Sequence, residues 1–208
     1  MKKAPTCPRC GGRLGQPSPW ASGWRCQRHG VVYPLWPAHR PSADGLRGLL
    51  RHPVVPAWLP WPLPAGWLVT GFAGAGDDRT GTRACVVALS GPNPVGGPAD
   101  MLLISEEMGV GLGAHVASLP GPDPGDGFAA GPPHGLVRYG HHEFPLWHVE
   151  APSRAAFAGE VLGNWLWVVL WPDTAGVLLV EPLPLRDLRD PGQELDLPFG
   201  AACPRLPH

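Results

Sequence analysis

Four residues near the start of the sequence have the types and spacing to hold a metal ion. Cys7 and Cys10 are separated by two residues, fifteen residues follow, and Cys26 and His29 are again two residues apart. Zn2+ takes four thiolate or imidazole ligands in a tetrahedron, and a pair spaced in this way can grip it from one tight turn. The chain must then loop out and return with a second such turn, which is the pattern of a zinc ribbon. Gly11, Gly12 and Gly30 follow the two pairs directly. A positive φ there lets backbone N–H groups turn toward the sulfurs. Four protein ligands leave no open coordination position, so the pattern predicts a structural Zn2+ held by Cys7, Cys10, Cys26 and His29, and either nitrogen of His29 fits the spacing. A segment this small depends on its metal to fold.

Other polar residues form a catalytic set only if folding gathers them in one cleft: Asp77, Asp78, Glu106, Glu107, His141, His142 and His148. Each has a plainer use. Asp77-Asp78-Arg79 reads as a hairpin turn. Glu106-Glu107 reads as the solvated start of a helix. His141 and His142 read as a solvated turn before Pro145, because neighbours on a strand point to opposite faces. Gly109-x-Gly111-x-x-Ala114 has the outline of a dinucleotide fingerprint, yet no βαβ unit surrounds it and two carboxylates would flank the pyrophosphate. Cys85 reads as a small buried hydrophobe and Cys203 as part of a loose tail. Ser90 and Ser105 lack a G-x-S-x-G turn. The sequence therefore assigns no catalytic and no cofactor-binding residue.

The elements that position these groups are short. Gly and Pro number 29 each in 208 residues, while ten tryptophans and 44% hydrophobic residues argue for a packed core rather than disorder. Residues 1–36 read as the ribbon. Residues 37–57 read as a Pro-rich linker with one short helix, capped by Ser42, carrying Leu46, Leu49 and Leu50 on one face and stopped by Pro53. Residues 58–200 read as a second domain and 201–208 as a tail. Trp67–Ala73, Thr82–Leu89, Met101–Ser105, Leu136–Tyr139 and Pro145–Glu150 are predicted strands. A helix is expected within Glu106–Ser118, residues 119–135 as a loop, a helical turn from Ser153 to Phe157, and a hairpin of Trp165–Trp171 with Gly176–Leu185 around a turn at Pro172–Ala175. The fold class expected is α+β: an N-terminal zinc ribbon, then a mainly antiparallel β-rich domain with few short helices. The clusters Trp58/Trp61/Trp67 and Trp165/Trp167/Trp171 are expected to pack inside.

Charge is divided unevenly. Residues 1–52 hold nine Lys or Arg and one acid, net +8, while residues 53–208 hold seven Arg and sixteen acids, net −9. That asymmetry fits either nucleic-acid contact or docking of the two halves on each other. The longest strongly apolar run, Trp165–Trp171, has seven residues where a membrane helix needs ~20. The opening MKKAPTCPRCGG has no apolar stretch behind its lysines. A cytoplasmic protein without membrane partners is expected, in a compartment where thiols stay reduced.

The segments CPRCGG, WRCQRHG, WLPWPLPAGW, GDDRTG, EEMGVGLGA, PLWHV and LRDLRD, taken in order, resemble an uncharacterised family of actinobacterial proteins of about this length. The resemblance covers nearly the whole chain and is most specific in the ribbon and the Trp/Pro segment. Some members of that family carry the label phosphotransacetylase, for which this sequence offers no phosphate- or coenzyme-A-binding loop. The resemblance carries over the ribbon residues Cys7, Cys10, Cys26 and His29 and nothing catalytic. Three functions follow from these readings. The first is a non-catalytic binding, adaptor or regulatory protein with a protein partner. The second is nucleic-acid binding through Lys2, Lys3, Arg9, Arg13, Arg25, Arg28 and Trp20 or Trp24. The third is an enzyme built on the carboxylate and histidine set above.

Overall fold

The computed structural model describes residues 4–190 and 196–206. Its centre is a nine-stranded sheet, preceded by a small three-stranded one. The small sheet is made of β1 (Leu14–Gly15), β2 (Arg25–Cys26) and β3 (Gly30–Val31), all antiparallel. The helix α1 (Ala43–Leu49) follows where expected, and the Ser42 hydroxyl accepts the Gly45 N–H at 3.1 Å as its cap.

The large sheet contains β4 (Trp58–Pro60), β5 (Leu68–Asp77), β6 (Gly81–Pro92), β7 (Pro98–Glu106), β8 (Gly135–Tyr139), β9 (His142–Val149), β10 (Ala155–Val161), β11 (Asn164–Trp171) and β12 (Leu183–Asp187). Their spatial order is β4-β12-β8-β9-β10-β11-β7-β6-β5. All neighbours are antiparallel except β12 and β8. The sheet curls until β4 lies against β6 and β7.

Strict alternation along the central strands makes two apolar layers, because a strand sends successive side chains to opposite faces. Cys85, Val87 and Leu89 of β6, Met101 and Leu103 of β7, and Leu166, Val168 and Leu170 of β11 line the inside of the curl with Trp58 and Phe157. Ala84, Val86 and Ala88, Leu102 and Ile104, and Trp167, Val169 and Trp171 face the other way. That outer layer is covered by α2 (Leu112–Val116), by Leu35 and by Cys203 and Leu206. Residues 34–39 run along the free side of β5, where the Trp36 and His39 N–H groups donate to the Gly74 and Phe72 carbonyls. Residues 198–203 take up the other end of the same strand through Val69 and Thr70.

The β-rich, mainly antiparallel reading with few short helices describes this architecture, and the strand at each of the five predicted places is present. Four local expectations are corrected. Trp165–Trp171 is a strand, but its partners are β10 and β7. Residues 173–179 coil into a 3-10 helix that buries Ala175 and Leu179, and Leu183–Asp187 crosses over to pair with β4 and β8. No helical turn follows Ser153: Ala155–Val161 has strands available on both sides, and Ser153 itself takes φ 57 at the bend. The helix within Glu106–Ser118 shrinks to five residues because Gly109 and Gly111 sit at φ 88 and 81. Cys203 is buried, and its N–H donates to the Thr70 carbonyl at 2.9 Å.

Candidate metal centre

The two turns that carry the four ligands are built alike. In the first, the Gly11 N–H donates to the Cys7 carbonyl at 2.8 Å and the Cys7 N–H to the Gly12 carbonyl at 2.8 Å, with Gly11 at φ 66. In the second, the chain turns from β2 into β3 at Gly30, φ 69. Val32 and Leu14 pack against the cysteines, a core far too small to fold a ribbon without help.

The ligand atoms of Cys7, Cys10, Cys26 and His29 all lie within 4.8 Å of one another. The sulfurs of Cys10 and Cys26 are 3.7 Å apart, well beyond a disulfide. His29 Nδ1 is 3.5 Å from the Cys7 sulfur and 3.6 Å from that of Cys26. A tetrahedron with Zn–S of about 2.3 Å and Zn–N of about 2.0 Å has edges of ~3.8 Å between sulfurs and ~3.5 Å between sulfur and nitrogen. These three separations match such edges, so the set can take a metal ion such as zinc, with Nδ1 as the histidine donor. Burial pushes the Cys7 thiol up to about 12. At Cys26 desolvation is outweighed by the N–H groups of Arg28 and His29 together with the Cys7 and Cys10 thiols, which hold the thiol down to about 6.

The small three-stranded unit is seated on the large sheet through Arg9, which lies between Cys7 and Cys10. Its Nε donates to the Val110 carbonyl at 3.2 Å and its Nη2 to the Gly109 carbonyl. Arg79, in the β5–β6 turn, donates to the Ser22 carbonyl at 3.0 Å. Trp24 meets Trp36 edge to face at 5.8 Å, and the Trp36 indole N–H donates to the Gly76 carbonyl at 2.6 Å.

The carboxylate and histidine set does not converge. Among the described residues, the Cys3His group is the only cluster of three or more His, Cys, Asp or Glu whose ligand atoms come together. Asp77 closes the β5–β6 turn, accepting from the N–H groups of Arg79 and Thr80. Asp78 is exposed beside it. His141 and His142 sit exposed at the β8–β9 turn, and His148 lies exposed further along β9. Glu107 pairs with Arg83. Glu106 overturns its reading as a solvated helix start: it is fully buried at the end of β7, and its two oxygens accept the N–H groups of Leu112 and Gly113 at 2.7 and 3.0 Å. Desolvation pushes its carboxyl up to about 7. This internal carboxylate fills the place at the start of α2 where the GxGxxA outline would have set a pyrophosphate.

The basic set divides. Lys2 and Lys3 lie outside the described residues. Arg9 and Trp24 are committed to the ribbon's seat, whereas Arg13, Arg25, Arg28 and Trp20 are exposed. Among the described residues no ion pair joins a ribbon arginine to a carboxylate; the pairs are Arg47–Asp44, Arg83–Glu107, Arg189–Asp187 and Arg205–Asp100. The halves dock through carbonyls and aromatic rings, and the ribbon's outward charge stays free. No described helix is long and apolar enough to cross a membrane.

A family model described as Family of unknown function (DUF6758) matches residues 1–206. No curated protein and no solved structure matches the chain.

Proposed function

The chain belongs to the Family of unknown function (DUF6758), and we propose that it is a cytoplasmic, non-catalytic binding protein whose ribbon, residues 1–36, is folded by one structural Zn2+ on Cys7, Cys10, Cys26 and His29. The linker 37–57 and the domain 58–200 form the platform on which the ribbon is fixed, and residues 201–206 pack on that platform through buried Cys203 and Leu206. The observation that supports this reading is the tetrahedral set of sulfur and Nδ1 separations. Four protein ligands close the coordination sphere, so the metal holds structure and offers no position to a substrate. Among the described residues the carboxylates and histidines do not gather into a second cluster, and this favours the non-catalytic reading. What the arrangement does provide is a rigid, solvent-facing ribbon for a partner.

Metal analysis of the full chain, purified without added zinc, tests this. One zinc per chain is expected, with loss of that zinc and a marked fall in thermal midpoint in Cys10→Ser. A folded wild-type sample free of zinc would refute the reading.

A further inference from the structure

We propose that the outer face of the ribbon binds single-stranded nucleic acid, with Trp20 as the stacking platform and Arg13, Arg25 and Arg28 as the phosphate contacts. This rests on the ribbon reading above and names the partner of that ribbon.

The face follows from strand register. Leu14 and Cys26 are opposite one another and turn toward the metal cluster. Opposed residues share a face and neighbours alternate, so Arg25, opposite both Gly15 and Val31, turns away from the cluster, as does Arg13. Arg13, Arg25, Arg28 and Val31 are all exposed. Residues 4–36 contain no Asp or Glu, and Arg9, the one further arginine there, is spent on Gly109 and Val110.

Trp20 stands at the tip of the β1–β2 loop, where Ser18 and Ala21 bridge across the turn. Its exposure is 96%, the highest of the exposed large hydrophobic residues, whereas Trp58, Trp67, Trp167 and Trp171 are buried. An indole left wholly in water, on the same small unit as three exposed guanidiniums that no described carboxylate pairs, offers a flat ring to an unpaired base and positive charge to phosphates along the same strand. The sheet that follows carries the opposite charge, net −9 over residues 53–208. A polyanion is therefore drawn toward the basic N-terminal part and repelled by residues 53–208. A duplex fits less well: among the described residues the ribbon has no helix and only two-residue strands to enter a groove, and paired bases leave Trp20 nothing to stack on.

The test is a fluorescence-anisotropy titration of the zinc-loaded full chain against a labelled twelve-nucleotide oligo-dT, the same length of duplex, and labelled polyglutamate as a polyanion without bases. Oligo-dT is expected to bind ahead of both. Its dissociation constant should rise about a hundredfold for each tenfold of salt, the dependence set by roughly three phosphate contacts on a single strand. Trp20→Ala should weaken oligo-dT roughly tenfold and leave zinc content and thermal midpoint unchanged, with Trp20→Phe recovering part of the loss. Arg25→Gln should lower the salt exponent by about 0.7. Polyglutamate binding as well as oligo-dT would overturn the proposal in favour of an acidic protein partner. No oligo-dT binding by a folded, zinc-loaded sample overturns this surface and leaves the structural ribbon standing. A folded sample without zinc sinks the ribbon reading, and the same titration on it still decides the surface.

Discussion

The carboxylate of Glu106 and the backbone N–H of Leu112 are joined by a 2.7 Å hydrogen bond in the dry layer between α2 and β11. The Gly113 N–H completes the grip at 3.0 Å, and the Trp167 indole N–H faces the same carboxylate without reaching hydrogen-bond geometry. A buried acid held chiefly by two amides keeps its proton longer than one in water.

That proton gives the first prediction. The folded chain releases it near pH 7, the unfolded chain near 4.5. Between those values the native state binds more protons, so this group's contribution falls as pH rises and levels off above 7. Glu106→Gln never ionises. With zinc in excess, the stability of Glu106→Gln relative to wild type should improve by about 2 kcal/mol between pH 5.5 and 8. Urea denaturation across that range measures it, and a flat difference would count against the shift.

Arg9 makes the second. It ties the turn carrying Cys7 and Cys10 to the Gly109 and Val110 carbonyls. Arg9→Ala should lower stability by roughly 2 kcal/mol, the worth of charged donors on carbonyls, while zinc stays at one per chain. Paired denaturation and metal analysis check this; zinc lost with the guanidinium would mean that Arg9 builds the site rather than seats it.

Gly113 makes the third. A Cβ placed there would lie 2.1–2.3 Å from atoms of the Trp167 ring, which is fully buried and has nowhere to move. Gly113→Ala should cost about 2–3 kcal/mol through overpacking. Gly131→Ala, with nothing within 4 Å of the added carbon, should be close to neutral. Equal denaturation midpoints for the two variants would refute the packing argument.

Asp187 makes the fourth. Buried in β12, it accepts the N–H groups of Ala57 and Arg189 at 3.1 and 3.0 Å and pairs with the Arg189 guanidinium at 2.7 Å. Arg189 also donates to the Val54 carbonyl. Asp187→Ala strands a guanidinium and a buried N–H and should cost about 3 kcal/mol. A double-mutant cycle with Arg189→Ala should show strong coupling; additive losses would show that the pair acts independently.

The features legible in the sequence were those written in local spacing. The two-residue spacings bring Cys7, Cys10, Cys26 and His29 together, Ser42 caps its helix three residues on, and the apolar run Ala84–Leu89 declares a strand. The features hidden from it depend on partners far along the chain. Glu106 is buried because Trp167 and α2 close over it, and nothing within ten residues of Glu106 announces a tryptophan from β11. Leu183–Asp187 lies between β4 and β8 rather than beside Trp165–Trp171 because a 3-10 helix carries the chain across first. By sequence Arg9 reads as a phosphate contact, and only the position of Gly109 and Val110 turns it inward.

The covering of β5 has a consequence for how this chain can be divided. An outermost strand with bare N–H and C=O groups is a template for the next molecule's backbone, and aggregation begins on such edges. Here residues 34–39 and 198–203 occupy that template from two directions. Cutting the ribbon away behind residue 36, a natural choice for isolating the larger piece, would strip protection from the Gly74 and Gly76 end of the strand while leaving the sheet's apolar outer layer short of Leu35. The ribbon segment therefore also guards the sheet against its own copies, and a fragment beginning at the linker should be sticky where the whole chain is not.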